Sequence, residues 1–158
     1  MYTARAMARP KRSGTRSNRA TLDYAKTVLT QEARAIDALP ARLGDSFITA
    51  LDALDACTGR IVCTGIGKPG FIAQKLSATL ASIGVPSLYL HPAEAAHGDL
   101  GRVTKHDVVV ALSNSGTSEE VVRLLMPLKR LGVAIVALTG DAKSPLAKGA
   151  DVVVDLGP

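Results

Sequence analysis

Between residues 59 and 155 the chain alternates short apolar segments with helix-length segments, and this alternation restricts the fold more than any other feature. Five segments have the length and the branched aliphatic content of buried strands, namely residues 60–64, 87–91, 107–112, 134–138 and 152–155. Strands that alternate with helices imply right-handed crossovers and a parallel sheet. Hydrophobic residues make up 47% of the chain and aromatic residues only 3%, so aliphatic side chains would fill both faces of the sheet. We predict an α/β three-layer sandwich around a five-stranded parallel sheet.

Two further helices are predicted before the first strand. In the first, apolar residues recur every three or four positions from Leu22 to Ile36, and Pro40 ends the helix. In the second, Ser46 is the expected N-cap. Pro127 lies inside the helix that follows residue 118 and predicts a kink or a division there. The chain stops at the end of the fifth strand, so we expect the element that would close the domain at its C-terminus to be missing.

The formal net charge of +5 is concentrated at the N-terminus. Residues 1–20 contain six basic residues and no acidic one, whereas the rest of the chain has 13 basic and 14 acidic residues. The first 20 residues also lack hydrophobic periodicity, which predicts a disordered basic tail over 1–20 and an ordered domain over 21–158. A nucleic-acid arm is the alternative interpretation of such a tail, but nucleic acid is not an expected partner.

The apolar segments of the chain are short. None reaches the roughly 18–20 residues that a membrane span needs, and no apolar segment follows the basic N-terminus as it would in a secretory signal. We therefore predict a cytoplasmic protein without a membrane partner. Cys57 and Cys63 are too few for a disulfide framework, so we expect two reduced thiols.

The strongest indication of function is a polar loop after the third predicted strand, which reads Ser-Asn-Ser-Gly-Thr-Ser over residues 113–118. Gly116 would let backbone amides approach a ligand, and the helix that follows offers free N–H groups to an anion. The loop is therefore predicted to bind a phosphate group. The alternative is a turn with a helix cap, because residues 117–120 match a capping box. The predicted phosphate ligands are Ser113, Asn114, Ser115, Gly116, Thr117 and Ser118.

A second loop, Gly-Ile-Gly-Lys-Pro-Gly over residues 65–70, follows the first strand. Its glycine spacing is weak evidence for a dinucleotide site, since no acidic residue ends the next strand. Gly65 and Gly67 would allow a close approach of a ligand, and Lys68 would contact an anion or a substrate oxygen rather than lie in solvent. Both loops follow strands of a parallel sheet, where ligands of such sheets bind.

A third segment, residues 91–101, gathers two histidines and two carboxylates: His-Pro-Ala-Glu-Ala-Ala-His-Gly-Asp-Leu-Gly. Side chains of these types ligate metals, transfer protons, or cap local backbone. The residues by themselves leave these three interpretations open.

In this order and spacing, the three segments resemble the sugar isomerase (SIS) domain of arabinose-5-phosphate isomerases. The third segment is the most specific; the serine loop alone would indicate only a SIS domain. The resemblance extends from about Leu22 to Asp155. It implies a flavodoxin-like strand order and a homo-oligomer, a dimer or a tetramer, whose active sites are shared between subunits. We expect neither a cofactor nor a metal.

The resemblance also implies an activity. It is the interconversion of arabinose 5-phosphate and ribulose 5-phosphate, a step of carbohydrate metabolism that leads to lipopolysaccharide. A base would move a proton between two sugar carbons of a cis-enediol, while cations stabilise the oxyanion. Lys68 matches the active-site lysine of the family, and His91 and His97 match histidines near the substrate. Lys68 and His97 are the expected catalytic residues, and a sugar phosphate is the expected ligand.

The chain also departs from the family pattern. The family usually has a carboxylate directly after the serine-loop glycine, where this chain has Thr117, and Glu119 or Glu120 would substitute only if the loop shifted. The family's next active-site segment and its paired CBS modules would lie beyond Pro158. We therefore expect sugar-phosphate binding with impaired isomerisation. The alternatives are a non-catalytic sugar-phosphate-binding or regulatory module, and an isomerase for another sugar such as a hexulose phosphate.

Overall fold

The computed structural model describes residues 18–157, which fall into two units. The described part of the first is a single helix, α1 (Asn18–Ala38), in which no residue is buried. It begins four residues before the predicted start at Leu22, because the periodicity marks only the apolar positions and not the polar turn before them. The prediction of a disordered tail is therefore wrong for residues 18–20. The rest of the predicted tail lies outside the described residues.

The second unit begins at Leu39 and contains the sheet. Its helices and strands, in chain order, are a 3-10 helix (Leu39–Arg42), α2 (Asp45–Asp55), β1 (Ile61–Thr64), α3 (Lys68–Ser82), β2 (Ser87–Leu90), α4 (Pro92–Ala96), a second 3-10 helix (Asp99–Arg102), β3 (Val108–Leu112), α5 (Glu119–Leu131), β4 (Ala134–Thr139), α6 (Pro145–Gly149) and β5 (Val152–Asp155).

All five strands are parallel, in the order β2-β1-β3-β4-β5. This is the flavodoxin-like order, so the predicted sheet is confirmed. Alternate residues of each strand enter one of two cores. On one face, Val109 and Ala111 of β3 pack with α5, for example with Leu124. On the other face, Val108 and Val110 pack with α2 and α3. The predicted three-layer sandwich is thereby confirmed.

Several local predictions differ from the structure. The N-cap of α2 is Gly44 in an extended conformation, not Ser46, and Asp45 occupies the first turn, where an acidic side chain favours the helix dipole. Pro127 does not divide α5, which runs on to Leu131. The buried side chains on either side of Pro127, Leu124 and Leu128 among them, anchor the helix against the sheet and offset the lost hydrogen bond. The segment 92–104, to which the sequence assigned neither a helix nor a strand, contains α4 and the second 3-10 helix.

The two cysteines are unpaired, as predicted. Burial raises the pKa of the Cys63 thiol to about 11, so this side chain acts as a small apolar group of the core. Within residues 18–157, none of the helices has the length and apolar character needed to cross a membrane.

A buried carboxylate, Asp107, fixes the start of β3. Its side chain is almost fully buried, with the residue 3% exposed, and accepts hydrogen bonds from the backbone N–H groups of Arg60 and Thr104, both at 2.8 Å. The Arg60 guanidinium lies 3.6 Å from Oδ2. Burial alone would raise the pKa of Asp107, but the hydrogen bonds from Thr104 and Arg60 and the charge of Arg60 outweigh it, so the pKa is lowered.

We expect Asp107→Asn to reduce the free energy of unfolding by about 1–3 kcal/mol at neutral pH, because an amide cannot accept from both N–H groups and leaves one buried donor unsatisfied. Because the folded-state pKa is lowered, the wild-type contribution is present above the unfolded-state pKa and is lost as pH falls through the folded-state pKa. Urea unfolding across pH measures both effects. Asp52→Asn, on the exposed face of α2, is the control, and equal stability of the two variants at pH 7 would contradict the assignment.

Candidate functional site

A cavity of about 390 Å³ lies at the carboxyl ends of β1 and β3. These neighbouring strands are where the strand order reverses, since the chain continues to β2 on one side and to β4 and β5 on the other. Crevices at such switch points are the usual ligand sites of open parallel sheets. The cavity is lined by Lys68, Pro69 and Ile72 of α3, by Leu112, Ser113 and Asn114 after β3, and by Leu138 and Leu156.

Two glycines of the first loop, Gly65 and Gly70, are required by close packing. A Cβ atom on Gly65 would lie 2.9 Å from the Leu112 carbonyl oxygen, and one on Gly70 would lie 2.7 Å from the Gly65 carbonyl oxygen. Tyr89 donates a hydrogen bond from its hydroxyl to that same Gly65 oxygen at 2.8 Å. Burial raises the pKa of Tyr89, which keeps the donor protonated. The glycine spacing therefore brings β1, β3 and α3 close together.

Lys68 is the first residue of α3, and its exposed side chain lines the cavity. The N-cap, Gly67, has φ 63° and provides no side-chain cap. The first turn of this 15-residue helix therefore keeps uncapped N–H groups. The helix dipole and the ammonium group together create a positive potential on this side of the cavity.

The serine loop, residues 113–118, forms the other side. Ser113 is only 2% exposed, and its hydroxyl lies 3.1 Å from that of Ser118. Ser115 accepts hydrogen bonds from the backbone N–H and the hydroxyl of Thr117, at 3.3 and 2.9 Å. The N-cap of α5 is Ser118, which makes no side-chain cap hydrogen bond, so the loop is not the capping box of the alternative interpretation. Its hydroxyl groups are hydrogen-bonded to one another and not to the helix.

Residues beyond the loop hold it in place, and the sequence did not reveal them. The Asn114 carbonyl accepts hydrogen bonds from the Thr139 hydroxyl at 3.2 Å and from the Gly140 N–H at 2.8 Å. The Gly116 carbonyl accepts from the N–H of Leu146 at 3.0 Å. Thr139 and Ser144 are buried beside Gly116. One indication of these two residues was present in the sequence. They lie at the carboxyl end of β4 or just after it, and this end of β4 is at the same edge of the sheet as the serine loop.

The two histidines lie apart from the cavity lining. His91 is the N-cap of α4, where Nδ1 accepts from the Ala93 N–H at 3.3 Å, and its ring meets Tyr89 edge-on with centroids 6.2 Å apart. His97 is exposed at the C-cap of α4. The described chain thus brings Lys68, Ser113 and Asn114 to the cavity, with Ser115 to Ser118 in the adjoining loop, but it does not bring His91 or His97 there. No group of three or more potential metal ligands occurs among residues 18–157.

The sequence profile of the SIS domain matches residues 56–157, which is more than half of the chain. The chain belongs to the SIS domain family, as its resemblance predicted. It is 51% identical over 131 residues to arabinose 5-phosphate isomerase KdsD of Pseudomonas aeruginosa, and 46% identical over 127 residues to KdsD of Shigella flexneri. These matches cover 83% and 80% of this chain, but only 40% and 39% of the relatives, so the chain spans about two fifths of their length.

A solved structure supports the same relationship. Escherichia coli CFT073 c3406, in complex with arabinose 5-phosphate, superimposes with a TM-score of 0.86 at 37% sequence identity. The match covers 89% of this chain and 75% of that chain. The two chains therefore share the same fold over most of their length.

Gly116 offers a direct test of the loop geometry. Its φ of 61° disfavours a side chain, and a Cβ atom would overlap the Ser144 hydroxyl. We expect Gly116→Ala to reduce the free energy of unfolding by about 1–3 kcal/mol through backbone strain, and further through the collision with Ser144. We also expect this variant to bind phosphate poorly. Gly132→Ala is the matched control, because Gly132 has φ 73° with no atom within 4 Å of its Cβ position. Thermal unfolding and phosphate titration compare the two, and equal losses would show that the contact with Ser144 does not matter.

Proposed function

We propose that the chain binds a sugar phosphate in the cavity between β1 and β3 and interconverts arabinose 5-phosphate and ribulose 5-phosphate. The observation that carries the proposal is the convergence of Lys68, at the N-terminus of α3, and the serine loop, at the N-terminus of α5, on one cavity. The names of the relatives support the choice of substrate.

The phosphate group would bind at the serine loop. Hydroxyl groups and the uncapped N–H groups of α5 are neutral donors that solvate a phosphate without a countercharge. The hydroxyls now paired within the loop, such as Ser113 with Ser118, would turn to the phosphate oxygens. The sugar would then extend toward Lys68, along the apolar wall of Ile72, Leu112 and Leu138.

Isomerisation requires a proton to move between the first two carbons of the sugar through a cis-enediol. The Lys68 ammonium would stabilise the oxyanion that develops on the carbonyl oxygen. A base must also reach the sugar carbons. His97, exposed at the end of α4, would supply it from a second copy of the chain in a dimer or tetramer. The cytoplasmic location and the link to lipopolysaccharide stay predictions.

One observation favours the second candidate, a non-catalytic binding module. Among the described residues that line the cavity, Lys68 is the only side chain that can take part in acid–base chemistry at neutral pH. Thr117, where the family usually has a carboxylate, is exposed and hydrogen-bonded to Ser115. The chain would then bind the sugar phosphate and turn it over slowly or not at all.

Lys68→Met tests the role of the cation. We expect the rate of ketose formation to fall by about 10²–10⁴-fold, because the oxyanion loses its stabilising charge. Lys75→Met, at an exposed position farther along α3 and outside the cavity lining, should leave the rate unchanged. NMR of arabinose 5-phosphate incubated with each protein measures ribulose 5-phosphate directly. Ketose formation by Lys68→Met at the wild-type rate would contradict the mechanism. If the wild-type protein binds arabinose 5-phosphate but forms no ketose, the chain is a binding module instead.

Thr117→Glu tests the missing carboxylate. The position is exposed, so the substitution leaves the core intact, and a carboxylate beside the phosphate loop would supply a proton-transfer group. We expect a rise in ketose formation of about 10²-fold relative to the wild type. Thr117→Gln matches the glutamate in size but carries no charge and should show no rise. A folded, ligand-binding Thr117→Glu without any gain would show that another absent group limits the rate.

A further inference from the structure

Arg42 lies beside the proposed site but belongs to none of the motifs. It is the last residue of the first 3-10 helix, and its side chain is exposed. Its guanidinium group lies against Gly157, which follows β5. A Cβ atom on Gly157 would come within 2.6 Å of both terminal nitrogens of Arg42. Gly157, with φ 73°, thus provides the space that the guanidinium occupies.

The Gly157 segment connects Arg42 to the serine loop. A Cβ atom on Gly140 would lie 2.6 Å from the Gly157 carbonyl oxygen and 2.8 Å from Oδ1 of Asn114. Gly157 and the Asn114 side chain therefore both pack against Gly140. Leu156, the residue before Gly157, lines the cavity together with Asn114 and Lys68. Arg42 is not itself part of the cavity lining, but on the β5 side it contacts the residue next to Leu156, whereas Lys68 lines the cavity from the β1 side.

Within residues 18–157, no carboxylate forms an ion pair with Arg42; the pairs that occur there involve Arg60, Arg102 and Arg123. The Asp155 carboxylate, near the guanidinium, accepts a hydrogen bond from the Gly157 N–H at 2.8 Å. The serine loop offers only neutral donors, whereas a sugar phosphate carries up to two negative charges at neutral pH. Lys68 supplies one positive charge, and a guanidinium on the opposite side would supply the second.

We propose that Arg42 binds the phosphate group of the ligand, in concert with the serine loop. The inference rests on the proposed function, because it takes the sugar-phosphate site as given. Guanidinium groups bind phosphate oxygens through two parallel hydrogen bonds, which a lysine cannot reproduce. Because the Arg42 side chain is exposed, a change of rotamer would be free to turn it from Gly157 toward the cavity.

Calorimetric titration of the full chain with arabinose 5-phosphate tests the inference. We expect Arg42→Gln to raise Kd by at least about tenfold, since hydrogen bonds to charged groups contribute that much or more. Arg42→Lys should fall between wild type and Arg42→Gln. Arg130→Gln is the matched control, because Arg130 is an exposed arginine at the far end of α5. The difference between wild type and Arg42→Gln should shrink in about 1 M salt, where exposed charges are screened.

Titration with inorganic phosphate alone separates a phosphate contact from a sugar contact. If Arg42 binds the phosphate, Arg42→Gln should raise the Kd of inorganic phosphate as well as that of arabinose 5-phosphate. An unchanged Kd for either one, with a matching melting temperature, would overturn the inference alone. If Arg42→Gln does not fold, the Kd of Arg42→Lys for arabinose 5-phosphate is compared with that of the wild type instead. Equal Kd values for Arg42→Lys and the wild type would overturn the inference. Failure of the wild type to bind either arabinose 5-phosphate or inorganic phosphate would overturn the proposed function as well.

Discussion

The parallel pairing of β1 with β3 is the constraint on which the site depends. Its register sets Thr64 beside Ala111, so the glycine loop and the serine loop leave the sheet at the same height, and Gly65 packs against the Leu112 carbonyl at the end of β3. The helices that follow them, α3 and α5, then cover opposite faces of the sheet. Two helix N-termini thereby start from adjacent strands and diverge, which leaves a crevice between them with the positive potential of Lys68 and the α3 N-terminus on one side.

That arrangement explains what the sequence could and could not predict. The strands were recognisable because buried parallel strands are continuous apolar runs, and the serine loop because its polar residues are consecutive. Ser46 was wrongly chosen as the N-cap of α2, since propensity cannot show that Gly44 already has the extended conformation of a cap. Thr139, Ser144 and Arg42 were missed for a different reason. Each reaches the site from a distant part of the chain, and their roles rest on tertiary proximity that no local pattern encodes.

The proposed division of labour follows from the kinds of group that the chain brings together. Phosphate binding draws on hydroxyls, N–H groups and cations, all held by the sheet edge and by hydrogen bonds from β4 and α6 to Asn114 and Gly116. Proton transfer draws on titratable side chains at the sugar carbons, of which the described cavity lining holds Lys68 alone. In the proposed function, phosphate binding would therefore rest on groups that the fold holds in place, whereas turnover would depend on a few exposed positions such as Thr117. Affinity and catalysis can change independently in a domain arranged this way.

The position of His97 bears on how a complete site would be assembled. His91 is held by its hydrogen bond to the Ala93 N–H and by the ring of Tyr89, so its Nδ1 is already occupied as an acceptor. His97 has no such restraint and is exposed at the end of a five-residue helix. An exposed histidine at this position would reach a sugar bound by a second copy of the chain more readily than a sugar in the cavity of its own chain. If the chain isomerises sugar phosphates, its activity should therefore depend on protein concentration in the range where copies associate, while phosphate binding should not. Measuring turnover per chain and Kd over a dilution series separates the two, and turnover per chain that stays constant through dissociation would place the base within one chain.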